Sequence, residues 1–107
     1  MNITKITNWI KKYAINNDKD ALIVGISGGI DSSVVSTLCA KTGMKVYAVS
    51  MPINQISSQH DLSLAHGNWL ISKFSNVIHK TIDLSGVYKK FNTLMKNEFD
   101  SEHSFAN

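Results

Sequence analysis

The sequence predicts an α/β fold in which a parallel sheet is covered by helices on both faces. Three short apolar runs alternate with longer amphipathic stretches along the chain. Strands that alternate with helices are joined by right-handed crossovers, which make the strands parallel. A polar, glycine-rich turn follows the first apolar run, and folds of this kind bind their ligands at the carboxyl ends of strands. We expect a single domain over residues 1–107, because this length is too short for two.

The first half of the chain predicts a helix, a strand, the glycine-rich turn and a second helix. Isoleucines at helical spacing indicate an amphipathic helix over residues 3–16. The continuous apolar run over residues 21–26 is typical of a parallel strand that is buried on both faces. Apolar residues between positions 34 and 39 form one face of the second helix, which ends near Lys41. Gly43 suits the left-handed conformation that closes such a helix.

The second half adds two further strand–helix pairs. Ser58 and Asp61 have the spacing of a capping box and predict where the third helix begins. Gly67 lies inside that helix, where glycine costs about 1 kcal/mol. Three strands are fewer than the usual five or so in a sheet, so we expect a domain that is truncated after Asn107. The predicted elements are strands over residues 46–50 and 77–82 and helices over residues 58–74 and 84–95.

The composition excludes several classes of function. No apolar run reaches the roughly 20 residues that span a bilayer, and the start lacks the apolar core of a signal peptide, so we expect a cytoplasmic protein without membrane contact. The net charge is +3, but the lysines are scattered and arginine is absent. Because arginine makes most contacts to bases and phosphates in nucleic-acid complexes, we expect no nucleic-acid partner. The single cysteine, Cys39, cannot form an internal disulfide.

The segment between the first strand and the second helix is where we expect the chemistry. Helix N-termini hold anions through unpaired N–H groups and the positive end of the helix dipole. Gly28 and Gly29 lack Cβ atoms, so backbone N–H groups can close around phosphate oxygens, to which the neighbouring serine hydroxyls can also donate. The predicted phosphate-binding residues are Gly25, Ile26, Ser27, Gly28, Gly29, Ile30, Asp31 and Ser32.

Asp31 and the spacing of the glycines indicate which kind of phosphate-binding site this is. A carboxylate beside a phosphate is unfavourable unless a cation lies between them, so Asp31 implies Mg²⁺. A P-loop would need a lysine after its last glycine, and a dinucleotide fingerprint would need a different glycine spacing. The alternative is that Gly28 and Gly29 have only a structural role, in which they let the chain turn and bind no ligand.

The run from Ser27 to Ser32, placed after a strand, resembles the PP-loop signature of the ATP pyrophosphatases. That superfamily has a Rossmann-type fold of the adenine nucleotide alpha-hydrolase class and includes NAD synthetase, GMP synthetase, asparagine synthetase and tRNA-modifying enzymes. The segments that look like NAD synthetase are Val49–Pro52, Ser57-Ser58 with Asp61, and Thr81–Leu84. The resemblance covers the whole chain but only the N-terminal part of the family pattern.

The resemblance implies an ATP-dependent ligase that forms an amide. The enzyme would adenylate the nicotinate carboxylate of deamido-NAD and release pyrophosphate, and ammonia would then displace AMP to give NAD. The loop would hold the ATP phosphates, Asp31 would bind Mg²⁺, and the full-length protein would be a homodimer. The residues implied on the adenine side are Val49, Met51, Ser57 and Ser58.

The same resemblance sets expectations for the missing parts. The family's strand order, 3-2-1-4-5, would leave residues 21–26 as an open edge here, so we expect self-association. The deamido-NAD contacts would follow Asn107, and no catalytic residue is identified. We expect ATP binding to persist and turnover to be absent. A different ATP pyrophosphatase, such as one resembling GMP synthetase or a tRNA-modifying enzyme, and a nucleotide-binding remnant without activity remain the alternatives.

The other reactive side chains are expected to be structural. Cys39 lies on the apolar side of its helix and predicts a core position. Asp83 follows the third strand and predicts a helix cap. The histidines show no spacing typical of a metal site and are His60, His66, His79 and His103.

Overall fold

The computed structural model describes residues 2–52 and 57–98, with the side chain of Ser57 excluded. Within these residues the order of helices and strands is the predicted one. No helix in the described ranges is both long and apolar enough to cross a membrane. The elements are α1 (Ile3–Asn16), β1 (Ala21–Ile26), α2 (Ile30–Lys41), β2 (Lys45–Ser50), α3 (Ser57–Lys73), β3 (Val77–Thr81) and α4 (Ser85–Glu98).

The strands form a parallel sheet in the order β1-β2-β3. Ile26 pairs with Ser50, and Ser50 pairs with Thr81, so all three strands end at nearly the same level. The residues that follow the strands therefore meet along one edge. Within the described part of the chain, β1 has a neighbour on one side only, which agrees with the expected order 3-2-1.

The core lies between one face of the sheet and the helices α2 and α3. Alternate strand residues share this face because successive side chains of a strand point to opposite sides. Leu70 of α3 and Val46 of β2 are fully buried at its centre. On the opposite face, the Ile23 side chain is 78% exposed. The buried cluster consists of Val24, Ile26, Cys39, Ala40, Val46, Ala48, Leu70 and Val77.

The structure explains several local features of the sequence. Gly43 has a φ of +79°, which confirms its predicted role in closing α2. The predicted capping box at Ser58 is wrong, because α3 already begins at Ser57 and Ser58 lies inside its first turn. The Ser85 N–H donates to Asp83 at 2.9 Å, which confirms the cap before α4 and lowers the pKa of Asp83. A Cβ on Gly67 would overlap the imidazole of His79, so glycine lets α3 approach the sheet.

Cys39 is buried in this core, as predicted. Burial raises the pKa of its thiol, because a thiolate is poorly solvated among apolar side chains. The reactive thiolate form is therefore disfavoured, and Cys39 acts as a small apolar residue.

Replacing Leu70 with alanine is expected to lower the free energy of unfolding by about 2–5 kcal/mol, because it leaves a cavity at the centre of the core. Leu62→Ala is the matched control, since Leu62 lies on the same helix and its side chain is 57% exposed. We expect Leu62→Ala to change the free energy of unfolding by no more than about 0.5 kcal/mol. Urea unfolding of both variants measures the difference, and equal losses would contradict the assignment of Leu70 to the core.

Candidate functional site

The turn between β1 and α2 leaves the first N–H groups of α2 open to a ligand. Only three residues separate Ile26, which ends β1, from Ile30, which begins α2. Gly29 is the N-cap residue and has no side chain that could accept from the first N–H groups of the helix. The first N–H groups of a helix have no partner within the helix, and they carry the positive end of its dipole. This arrangement favours an anion at the carboxyl edge of the sheet.

Two serine hydroxyls face each other across the turn. The Ser27 N–H donates to Ser32 Oγ at 3.1 Å, and the two hydroxyl oxygens also lie 3.1 Å apart. The Gly29 N–H donates to Ser27 Oγ at 3.2 Å. The hydroxyls of Ser32 and Ser33 both donate to the Gly29 carbonyl oxygen, at 3.2 Å and 2.9 Å. The hydroxyls of Ser27 and Ser32 thus lie beside the open N–H groups, where they can reorient towards an oxyanion.

The two glycines of the turn have different structural roles. Gly28 has a φ of +90°, and a Cβ on it would lie only 2.7 Å from the carbonyl oxygen of Gln59 in α3. The missing side chain therefore lets the turn rest against the α3 backbone, a reason that the sequence did not reveal. Gly29 has a φ of −86°, and its Cβ would meet Ser27 Oγ at an ordinary 3.4 Å. Gly29 could thus accept a side chain without strain.

A small cavity adjoins the turn at the ends of β1 and β2. It has a volume of about 250 Å³ and is lined by Gly25, Ile26, Ser27 and Met51. Gly25 pairs with Val49 in the sheet register, and Met51 is 43% exposed. The structure therefore brings two of the residues predicted for the adenine side, Val49 and Met51, next to the predicted phosphate loop.

The remaining predicted site residues are placed as follows. Asp31 is exposed in the first turn of α2, and the side chain of Ile30 is 77% exposed. Ser58 is exposed in the first turn of α3, whereas the side chain of Ser57 lies outside the described residues. Across residues 2–52 and 57–98, histidine, cysteine, aspartate and glutamate form no cluster of three or more that could hold a metal ion.

A buried chain of polar groups below the turn was missed by the sequence analysis. Ser63 Oγ of α3 lies 2.9 Å from the Ile26 carbonyl oxygen and 2.7 Å from Ser50 Oγ. Ser50 Oγ in turn lies 2.9 Å from His79 Nε2. Ser50 and Ser63 are at most 2% exposed. The only hint in the sequence was polar serine and histidine at positions that strand alternation and helix spacing place towards the core.

A second pair of serine and histidine lies between α2 and α3. His66 Nε2 lies 2.8 Å from Ser36 Oγ, and its ring stacks on Trp69 with centroids 5.6 Å apart. Burial lowers the pKa of both His66 and His79 below the usual 6.5, and the nearby charge of His79 lowers that of His66 further. Both imidazoles are therefore neutral at neutral pH and serve as hydrogen-bonding groups.

Lowering the pH from 7.5 to 5.5 is expected to destabilise the fold. The unfolded chain binds protons on these histidines as the pH falls through their usual pKa near 6.5, whereas the folded chain resists protonation. The contribution of these histidines to the free energy of unfolding is thus fully present above a pH of about 6.5 and declines as the pH falls below it. Urea unfolding of the wild type and of the double variant His66→Gln/His79→Gln at several pH values tests this, because glutamine cannot titrate. Parallel pH profiles of the two proteins would contradict the assignment.

Comparisons with known proteins point to one family. The family model described as NAD synthase matches residues 2–107. An NH(3)-dependent NAD(+) synthetase from Campylobacter jejuni is 33% identical over 89 residues, which are 81% of this chain and 34% of that protein. The chain thus spans about a third of the length of this relative.

Two solved structures resemble the chain closely in fold. The NH3-dependent NAD synthetase from Campylobacter jejuni, in complex with the nitrate ion, has a TM-score of 0.69 and 30% identity and covers 88% of this chain and 42% of its own. The NMN synthetase from Francisella tularensis has a TM-score of 0.77 and 28% identity and covers 92% of this chain and 40% of its own. Because the family model spans nearly every residue, the chain belongs to the NAD synthase family.

Proposed function

We propose that this chain supplies the ATP-binding part of an amide-forming ligase that makes NAD from deamido-NAD, ATP and ammonia. The observation that carries the proposal is the uncapped, hydroxyl-lined N-terminus of α2 at the carboxyl edge of the sheet. The reaction needs a site that holds a polyphosphate, and this is the kind of ligand that such a helix end favours. The complete protein would act as a homodimer in the cytoplasm.

The proposed reaction has two steps. A carboxylate oxygen of the nicotinate ring attacks the α-phosphorus of ATP, which forms an acyl-adenylate and releases pyrophosphate. Ammonia then attacks the acyl carbon, and AMP leaves with the former carboxylate oxygen, while one proton is released. Negative charge accumulates on the departing pyrophosphate, so donors that are already oriented towards it would stabilise the transition state. In this chain those donors are the N–H groups and hydroxyls of Ser27–Ser32.

The cavity beside the loop is the proposed position of the adenosine. Gly25, Val49 and Met51 lie at the ends of β1 and β2, on the strand positions that point away from α2 and α3. A methionine side chain is flexible and polarizable, which suits contact with an aromatic ring. Ser57 and Ser58, at the start of α3, remain proposed neighbours of the same nucleotide.

Asp31 is the proposed contact for Mg²⁺. Mg²⁺ usually takes one or two protein carboxylates and completes its octahedral shell with substrate phosphates and water. A single exposed carboxylate beside an open helix N-terminus fits that chemistry. When bound, the ion would neutralise charge on the phosphates.

The mononucleotide is a second candidate substrate. The solved NMN synthetase resembles this chain with a TM-score of 0.77, which favours nicotinate mononucleotide as an alternative acid. In that case the same two steps would give NMN. AMP release with deamido-NAD and with nicotinate mononucleotide, measured side by side on the complete protein, distinguishes the two substrates.

Replacing Gly29 with alanine is expected to weaken Mg·ATP binding about tenfold, or ~1.4 kcal/mol, because the new methyl group would occupy space beside the Ser27 hydroxyl. Isothermal titration calorimetry measures the affinity. Gly86→Ala is the matched control, since a Cβ there would meet no atom within 4 Å. Equal ATP affinity of wild type and Gly29→Ala would place the phosphates elsewhere. Gly28 is unsuitable for this test because any side chain would collide with α3.

Replacing Asp31 with asparagine is expected to weaken ATP binding about tenfold in Mg²⁺ and much less in EDTA, because the carboxylate helps only when a cation separates it from the phosphates. Asp20→Asn serves as the control, since Asp20 is exposed just before β1, at the opposite end of that strand. Calorimetric titrations with and without metal compare the variants. A loss that is the same in both buffers would assign Asp31 to the helix dipole and not to Mg²⁺.

A further inference from the structure

One turn of α3 forms the support on which the proposed phosphate loop rests. A Cβ on Gly28 would lie 2.7 Å from the Gln59 carbonyl oxygen and 3.3 Å from the Ser63 N atom. At the start of the same loop, Ser63 Oγ lies 2.9 Å from the carbonyl oxygen of Ile26. The loop is therefore held on α3 at two points, by close packing at Gly28 and by a hydrogen bond at Ile26.

The directions of the hydrogen bonds that link His79, Ser50, Ser63 and Ile26 follow from the number of protons that each group can donate. The Ile26 carbonyl oxygen can only accept, so the single hydroxyl proton of Ser63 goes to it. Ser63 Oγ must then accept from the hydroxyl of Ser50, which lies 2.7 Å away. Ser50 Oγ in turn accepts from the Nε2–H of His79 at 2.9 Å. The chain runs in one direction, from His79 through Ser50 and Ser63 to Ile26, with each hydroxyl both donating and accepting.

We propose that Ser63 is a positioning residue for the loop of Ser27–Ser32, and that Ser50 and His79 fix the direction of its hydroxyl. This rests on the proposed function, in which that loop binds the phosphates of ATP. The hydroxyl of Ser63 holds the last carbonyl group of β1 and so fixes the point from which the loop departs. A loop that departs at a fixed angle keeps its N–H groups oriented before the nucleotide arrives, which lowers the entropic cost of binding.

The pair of Ser36 and His66 provides a matched comparison. Ser36 is also fully buried and also lies within 2.8–2.9 Å of a histidine Nε2 atom, as Ser50 does. Its hydroxyl, however, points to the carbonyl oxygen of Ser33 inside α2, which also accepts from the hydroxyl of Thr37 at 2.7 Å. Loss of Ser36 would therefore weaken the packing of α2 on α3 without releasing the start of the loop.

The experiment compares Ser63→Ala with Ser36→Ala in the full chain by two measurements. The first is hydrogen–deuterium exchange at the Ser27, Gly29 and Ser33 N–H groups, which are hydrogen-bonded within the loop. The second is the calorimetric affinity for Mg·ATP. We expect Ser63→Ala to speed exchange at these groups about tenfold and to weaken ATP binding by a similar factor. We expect Ser36→Ala to lower the midpoint of thermal unfolding about as much while changing neither measurement.

The outcomes separate this inference from the proposed function. Unchanged exchange in Ser63→Ala, relative to Ser36→Ala, would overturn the positioning role whatever the ATP affinity. Failure of the wild type to bind ATP would overturn the proposed function, and the exchange measurement would still decide whether Ser63 orders the loop. If Ser63→Ala does not fold, Ser63→Cys keeps a weaker donor of similar size at the same position. An intermediate increase in exchange in Ser63→Cys would support the role, and an increase no greater than in Ser36→Ala would overturn it.

Discussion

Close approach between the glycine-rich turn and the backbone of α3 is the constraint on which the candidate site depends. Any Cβ at Gly28 would collide with the Gln59 carbonyl oxygen, so the turn can lie this close to α3 only with glycine at that position. A backbone carbonyl oxygen cannot move aside by changing a rotamer, so this contact restricts the position of the turn on α3. The position of the turn also sets the position of the open N–H groups of α2, because Gly29 directly precedes the helix.

The hydrogen bond from Ser63 to Ile26 reinforces the same constraint with a different kind of interaction. Few large side chains are fully buried in the described core. The largest are those of Leu70 and Val46. The two pairs of a buried serine and a half-buried histidine therefore add directional contacts, between α2 and α3 and between β2 and β3. Buried polar groups are costly when they lose a partner, so each pair also defines which position of α3 is allowed.

The order of the elements could be predicted from the sequence because each depends on a local pattern. The run over residues 21–26 and the left-handed Gly43 are recognisable without knowing what lies nearby. The contacts of Ser63 could not be predicted in this way, since its partners Ser50 and Ile26 lie 13 and 37 residues away in sequence. Gly67 illustrates the same limit, because a glycine that looked unfavourable inside a helix makes room for an imidazole of β3.

The candidate site also has a part that could be predicted from the sequence and a part that could not. The phosphate loop could be predicted because its glycines, serines and aspartate are consecutive and their chemistry is local. What holds the loop in place could not, because the support comes from α3, which follows one strand later in the chain. The structure therefore changes the explanation of Gly28 from a residue that makes space for a ligand to one that makes space for a helix. Sequence patterns reveal the groups that can touch a ligand, whereas the groups that orient them become visible only when distant segments are seen in contact.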